Sequence, residues 1–309
     1  MIHQTFCHLL IMISIAYVGC SQQNQNKNQL SMNSNEVESK YWNDGKAEVA
    51  VYDLEQNRYK DINQGQLLSI FVREDFLYDR QVKNDHYRDK KSTPILKNIQ
   101  TRKFPTGLYD YSMFSSAFTP LDRKKYPKTL KVSGSIQEWC GTTYSQLNYK
   151  NGAYISTLHS YFESEGDRTD RISDGYSEDG LYNVLRMNPN MLPTGELNLI
   201  PTINVLRLKH LESKTYKSVA TLRMYEGQEF QGDDLKEYYI STPALSRELN
   251  IIFESKAPYR IVGWTDSYPS AFDQQIRTTK ATLTKVDRIA YWKLNSLQDE
   301  ALRQEFGLK

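Results

Sequence analysis

The chain has 309 residues, enough to bury a full core in one large or two modest domains. Its 39 lysines and arginines nearly balance 37 aspartates and glutamates, for a formal net charge of +2. A nucleic-acid binder carries a clear basic excess to neutralise phosphates, so that class is excluded at the outset.

At the N-terminus, Cys7 to Gly19 reads CHLLIMISIAYVG, an apolar run of signal-peptide length and too short for a comfortable membrane span. Residues 1–19 are therefore expected to be an export signal. Its end, AYVGC at Ala16 to Cys20, resembles the lipobox of bacterial lipoproteins, in which a small residue precedes a cysteine that is diacylated and becomes the new N-terminus. Gly19 and Cys20 fit that pattern; Tyr17 replaces the usual leucine, and no Lys or Arg precedes the apolar run. Cys20 is thus the expected lipidation residue, and two acyl chains would hold it in a bilayer. Residues 20–40 are rich in Gln, Asn and Ser and nearly devoid of apolar side chains, which predicts a disordered tether. By analogy with lipoprotein sorting, Ser21 in place of Asp favours the outer membrane, with the domain in the periplasm or at the surface.

From Tyr41 onward the dominant signal is period-two alternation, bounded by Gly, Asn, Asp and Pro. It marks strands at Ala47–Leu54, Gln66–Val72, Thr129–Ser135, Asn204–Glu212, Tyr216–Glu226, Arg247–Ser255, Tyr259–Ser267 and Thr278–Val286. The charged stretch Tyr78–Thr93 is the clearest loop. A helix is predicted from a cap at Ser177 to Asn188, placed to plug or flank the sheet. A second starts at Ser296 with Asp299 completing a capping box, and its thin apolar stripe is expected to fray. The fold class is all-β, mainly antiparallel: a curved sheet, half-barrel or sandwich over 41–309, as one domain or two subdomains. A curved sheet with an inserted helix on a lipid tether resembles, in architecture, the lipoprotein carriers that shelter acyl chains in a half-barrel.

Four stretches, GLYDYSMFSSAFTP (Gly107–Pro120), QEWCGTTYSQL (Gln137–Leu147), HSYFESEGD (His159–Asp167) and PYRIVGWTDSYPS (Pro258–Ser270), resemble a family of bacterial envelope lipoproteins often called septum formation inhibitor Maf. The resemblance covers most of the chain from Tyr41 and implies an envelope location. The name does not fit. True Maf proteins are cytoplasmic nucleotide pyrophosphatases with a Ser-x-Ser-x-Arg-Arg phosphate site, and this sequence contains no such motif.

Candidate chemistry is thin. With Cys7 in the signal and Cys20 taken by lipid, Cys140 is left alone and no intramolecular disulfide is possible in the mature chain. The run Trp139-Cys140-Gly141 opens like a thioredoxin redox site, but Thr143 stands where the second cysteine belongs. Asn151-Gly152 predicts a two-residue hairpin turn whose paired residue numbers sum to 303, which sets Cys140 opposite Glu163 and Tyr144 opposite His159. On that register Trp139, Leu147, Tyr149, Tyr154, Leu158 and Phe162 form a core side. Cys140, Thr142, Tyr144, Thr157, His159, Tyr161 and Glu163 form a polar, aromatic side, read either as a solvated outer face or as the lining of a groove. The acidic stretch Glu163–Gly180 matches no calcium-loop spacing, and His86, His159, His210 and Cys140 have no zinc spacing. Lys131 stands where a nucleophile elbow needs its first glycine, and no Gly-rich phosphate loop occurs. The expectation is a non-enzymatic envelope protein without cofactor or metal, taking a lipid, a glycan or a protein partner. The alternative is an envelope enzyme using the Cys140 thiol or the carboxylates near Glu163.

Overall fold

The computed structural model of the protein describes residues 40–87, 91–173 and 175–308; the expected signal 1–19, Cys20 and the tether as far as residue 39 lie outside the described residues. In chain order the strands are β1 (Ala47–Arg58), β2 (Asp61–Leu77), β3 (Val82–Lys83), β4 (Ser92–Thr106), β5 (Tyr109–Pro120), β6 (Lys131–Glu138), β7 (Gly141–Lys150), β8 (Ala153–Ser160), β9 (Arg168–Ser173) and β10 (Tyr176–Ser177). Helix α1 (Glu178–Met187) follows, then β11 (Gly195–Ile200) and helix α2 (Ile203–Leu208). The chain continues through β12 (Tyr216–Met224), β13 (Leu235–Thr242), β14 (Arg247–Glu254), β15 (Ile261–Pro269) and β16 (Ile276–Ile289) to helix α3 (Glu300–Glu305).

All the strands belong to one curved, unclosed sheet in the order β10-β11-β12-β13-β14-β15-β16-β1-β2-β4-β5-β6-β7-β8-β9, with β3 attached to β2. Two up-and-down meanders are joined where β1 pairs with β16, Ala47 opposite Ile289. Every pairing is antiparallel except that of β10 with β11. The two edges, β9 and β10, are nearly consecutive in the chain. Ser173 and Tyr176 are three residues apart, so the edges approach to within about 11 Å there, close to a barrel seam but with no ladder pairing among the described residues.

Alternation explains which face is inside. Along β4, Leu96, Asn98, Gln100, Arg102, Phe104 and Thr106 are buried, while Lys103 and Pro105 between them are exposed. The concave side is filled by α1, all ten of whose residues are buried, and by α2. Leu181, Val184 and Leu185 of α1 join Tyr52, Phe71, Leu96, Tyr238 and Trp264 of the sheet in the main apolar cluster. Asn183 anchors α1 to the sheet by donating to Leu96 O at 3.0 Å, Ala117 O at 3.1 Å and Thr119 Oγ1 at 3.0 Å. Gly134 of β6 lets α2 approach, because a Cβ there would stand 3.0 Å from Ile203 Cγ2 and 2.8 Å from Phe114 O. On the convex side, Ala47, Val49, Val51, Ile70, Val72 and Ile99 form a second cluster, covered by Phe306 and Leu308 just after α3.

The interior also holds charge. Arg247 donates to Glu178 at 2.6 and 2.7 Å and to Asp266 at 2.6 and 2.9 Å, all three side chains being buried. Arg186, in the last turn of α1, pairs with Glu48 and lies over the rings of Trp42 and Phe71. Glu178 at the first turn and Arg186 at the last both suit the helix dipole. Among the described residues no helix is long and apolar enough to cross a membrane.

The sheet and the inserted helix agree with the sequence reading; two local expectations do not. Asn204–Glu212 was expected as a strand, but its first part belongs to α2. Thr202 caps that helix by accepting from Val205 N at 3.2 Å, and burial on every side of α2 defeats a reading based on alternation. The stretch Tyr78–Thr93 was expected as a loop, yet it contains β3 and the first residues of β4, and the acidic stretch from Glu163 holds β9 and β10 ahead of the predicted helix.

Candidate binding surface

The β7–β8 hairpin has the expected turn. Asn151 and Gly152 both take positive φ, 51° and 77°, as a two-residue hairpin requires. The register runs from Lys150 opposite Ala153 to Tyr144 opposite His159 and Thr143 opposite Ser160. Leu147 and Tyr154 are buried, while Thr142, Tyr144, His159, Tyr161 and Glu163 are exposed on or beyond the outer face. The rings of Tyr144 and His159 stack at 6.4 Å, and His159 Nδ1 lies 3.2 Å from Asp167 Oδ2.

Cys140 does not face Glu163, and Trp139 does not join the core. Glu138 pairs with Gly141, so Trp139 and Cys140 are the two turn residues between β6 and β7, and Trp139 is 70% exposed. Neither turn residue takes positive φ, so the turn carries no glycine or asparagine signature in the sequence. Tyr161 packs over Gly141, where a Cβ would meet its ring at 2.8 Å.

Beneath this turn runs a chain of polar contacts. Cys140 N–H donates to Glu138 Oε2 at 2.6 Å, and the same carboxylate accepts from Arg207 at 3.4 Å. Arg207 donates to His210 Nε2 at 3.1 Å, which leaves Nδ1 to carry the proton that it donates to Glu165 at 2.6 Å. Burial alone would raise the Glu165 carboxyl, but the hydrogen bonds from His210 and Ser160 hold it below the usual range. The Cys140 thiol is pushed the other way, upward, by its hydrogen bond to the Glu138 carboxylate and by that negative charge. The arrangement therefore keeps the thiol protonated and commits the imidazole to Arg207 and Glu165, the reverse of what a Cys/His nucleophile pair needs. Among the described residues no group of His, Cys, Asp and Glu could hold a metal ion.

A different site lies on the outer face. The ladder register sets Asp53 beside Gln66, Gln66 beside Lys103, and Lys103 beside Ser112, one polar rung across β1, β2, β4 and β5. Gln64, Pro105 and Asp110 stand next to it, and together they line a groove of about 830 Å³ over Gly65. Among the described residues, the side chains of Asp53, Gln64, Lys103, Asp110 and Ser112 have no hydrogen-bond or ion-pair partner. An adjacent rung carries Phe114, which is 41% exposed, opposite Ser135, then Tyr144 and His159. Inside the sheet, by contrast, the cavity between α2 and β7–β8 measures about 30 Å³, room for about one water.

Of the residues expected to line a groove, Tyr144 and His159 stand on the rung beside this one, and Thr142 flanks the polar rung through Gln137; Cys140, in the β6–β7 turn, and Tyr161 and Glu163, just after β8, are exposed but do not line the groove. The groove residues themselves went unnoticed in the sequence, because β2 and β4 come into register only across an intervening loop. Neither protein-family models, nor curated proteins, nor solved structures give a match to this chain.

Proposed function

We propose that the chain is an outer-membrane lipoprotein, anchored through Cys20, whose β domain is a non-enzymatic binding protein that takes its ligand on the outside of the sheet. One observation carries this reading. The concave side, where a half-barrel carrier would shelter an acyl chain, is filled by α1, α2 and paired charges, whereas the roomy groove opens on the convex side with unpartnered polar groups. The protonated, carboxylate-bound Cys140 thiol argues against thiol catalysis.

Mass spectrometry of lipids that co-purify with the native protein tests the reading. Acyl chains are expected only as a covalent modification, lost in Cys20→Ser together with membrane association. A stoichiometric, non-covalently bound acyl lipid would place the cargo inside and overturn it.

A further inference from the structure

We infer that the convex groove binds a short neutral oligosaccharide; the inference rests on the outside-binding reading above and names its ligand class. Three ligand classes fit the groove poorly. Two carboxylates, Asp53 and Asp110, outnumber the single ammonium of Lys103, so an anionic ligand such as a phosphate meets net repulsion. The groove supplies no third acidic or imidazole ligand, and the described residues hold no metal-binding group. Its walls at Asp53, Gln64, Lys103 and Ser112 are polar and exposed, which an acyl chain would desolvate without return.

What the walls offer is a mixture. Carboxylates only accept, an ammonium only donates, and amides and hydroxyls do both. A polyol satisfies all of them, because every ligand hydroxyl is both a donor and an acceptor. The spacing is also suitable. Four strands at the usual separation of about 4.8 Å set Asp53, Gln66, Lys103 and Ser112 along a line of about 14 Å, the scale of a short oligosaccharide. Pro105 gives the groove an apolar element, and Phe114, two residues beyond Ser112 on the same face, gives an exposed ring against which the C–H faces of sugar rings pack. The volume of about 830 Å³ lies within the range of small-ligand sites.

Calorimetric titration of the full chain with maltotriose, cellotriose and chitotriose tests the inference. At least one is expected to bind saturably. Asp110→Asn and Lys103→Gln are each expected to weaken it by about tenfold or more at unchanged thermal melting, since each removes a charge-assisted bond. Glu212→Gln, far along the chain in the loop after α2, is expected to leave binding unchanged. Absence of saturable binding for all three sugars, or undiminished binding by both groove variants, overturns the sugar assignment. The co-purification experiment is separate: failure here without a bound acyl lipid there removes the ligand class alone, while a bound acyl lipid removes the outside-binding reading.

Discussion

On the inner face, Arg247 at the start of β14 is clasped by Glu178 and Asp266 at 2.6 to 2.9 Å; on the outer face, Lys103 and Asp110 stand on neighbouring strands with no partner among the described residues. The residue types are alike and their circumstances opposite. Out of water, an unpaired charge is prohibitive, so the inner groups exist only as interlocked sets that fix α1 against β14 and β15. In water, an unpaired charge is merely hydrated, and a ligand can replace that hydration. Pairing thus separates side chains occupied in holding the fold from those free to recognise something else.

The comparison breaks most easily at Arg247. Replacing it by methionine strands two buried carboxylates, and urea unfolding should register a loss on the order of 3–5 kcal/mol. Lys103→Gln should change stability by less than about 0.5 kcal/mol, as surface substitutions usually do. A small loss in Arg247→Met would mean that the inner set is hydrated and that the contrast between faces fails.

Asp179 sharpens the contrast, because it is a buried carboxyl with no ion-pair partner among the described residues. It accepts from Ile203 N at 3.1 Å, but burial, reinforced by the neighbouring Glu178 charge, pushes it from an ordinary 3.8 up to about 7. A folded value above the unfolded one means that the native state holds the extra proton between about pH 4 and 7. Stability contributed by this group is present at low pH and falls as pH rises through that window, by at most about 1.4 kcal/mol per unit. Asp179→Asn keeps the acceptor and removes the titration. Chemical denaturation at pH 5 and pH 8 should show the variant gaining on the wild type at the higher pH, and parallel profiles would refute the protonated buried acid.

The smallest effect is expected at Cys140, an exposed residue of the β6–β7 turn. Its thiol should alkylate with iodoacetamide at neutral pH no faster than an ordinary free cysteine, because the Glu138 carboxylate disfavours thiolate. Glu138→Gln should speed the reaction. Rapid alkylation of the wild type would reopen the catalytic reading.

Much of the fold was legible because its signals were local. Ser177 and Asn188 do bound α1, Asn151-Gly152 does make the hairpin, and Ser296 with Asp299 does form a capping box. The stretch from Asn204 failed because Val205, Leu206 and Leu208 are buried on all sides, so neither period is visible. Strand β4 was missed for a related reason: its inward positions include Asn98, Gln100 and Arg102, and a polar inner face erases the alternation that marks a strand. The groove was illegible in principle, since Gln66 and Lys103 become neighbours only through long-range register.

The pairing of β1 with β16 has a consequence for how the molecule is made. Strand β1 can zip locally to β2, but its other edge stays open until Ile276–Ile289 has been synthesised, more than two hundred residues later. Bringing such distant segments together is slow, because loop closure must precede any stabilising contact. A chain arrested before β16 would present the long edge of β1, with Val49 and Val51 uncovered by the C-terminal segment, as a template for pairing with other chains. For a chain synthesised from its N-terminus, that makes β16 a checkpoint on the closing of the sheet.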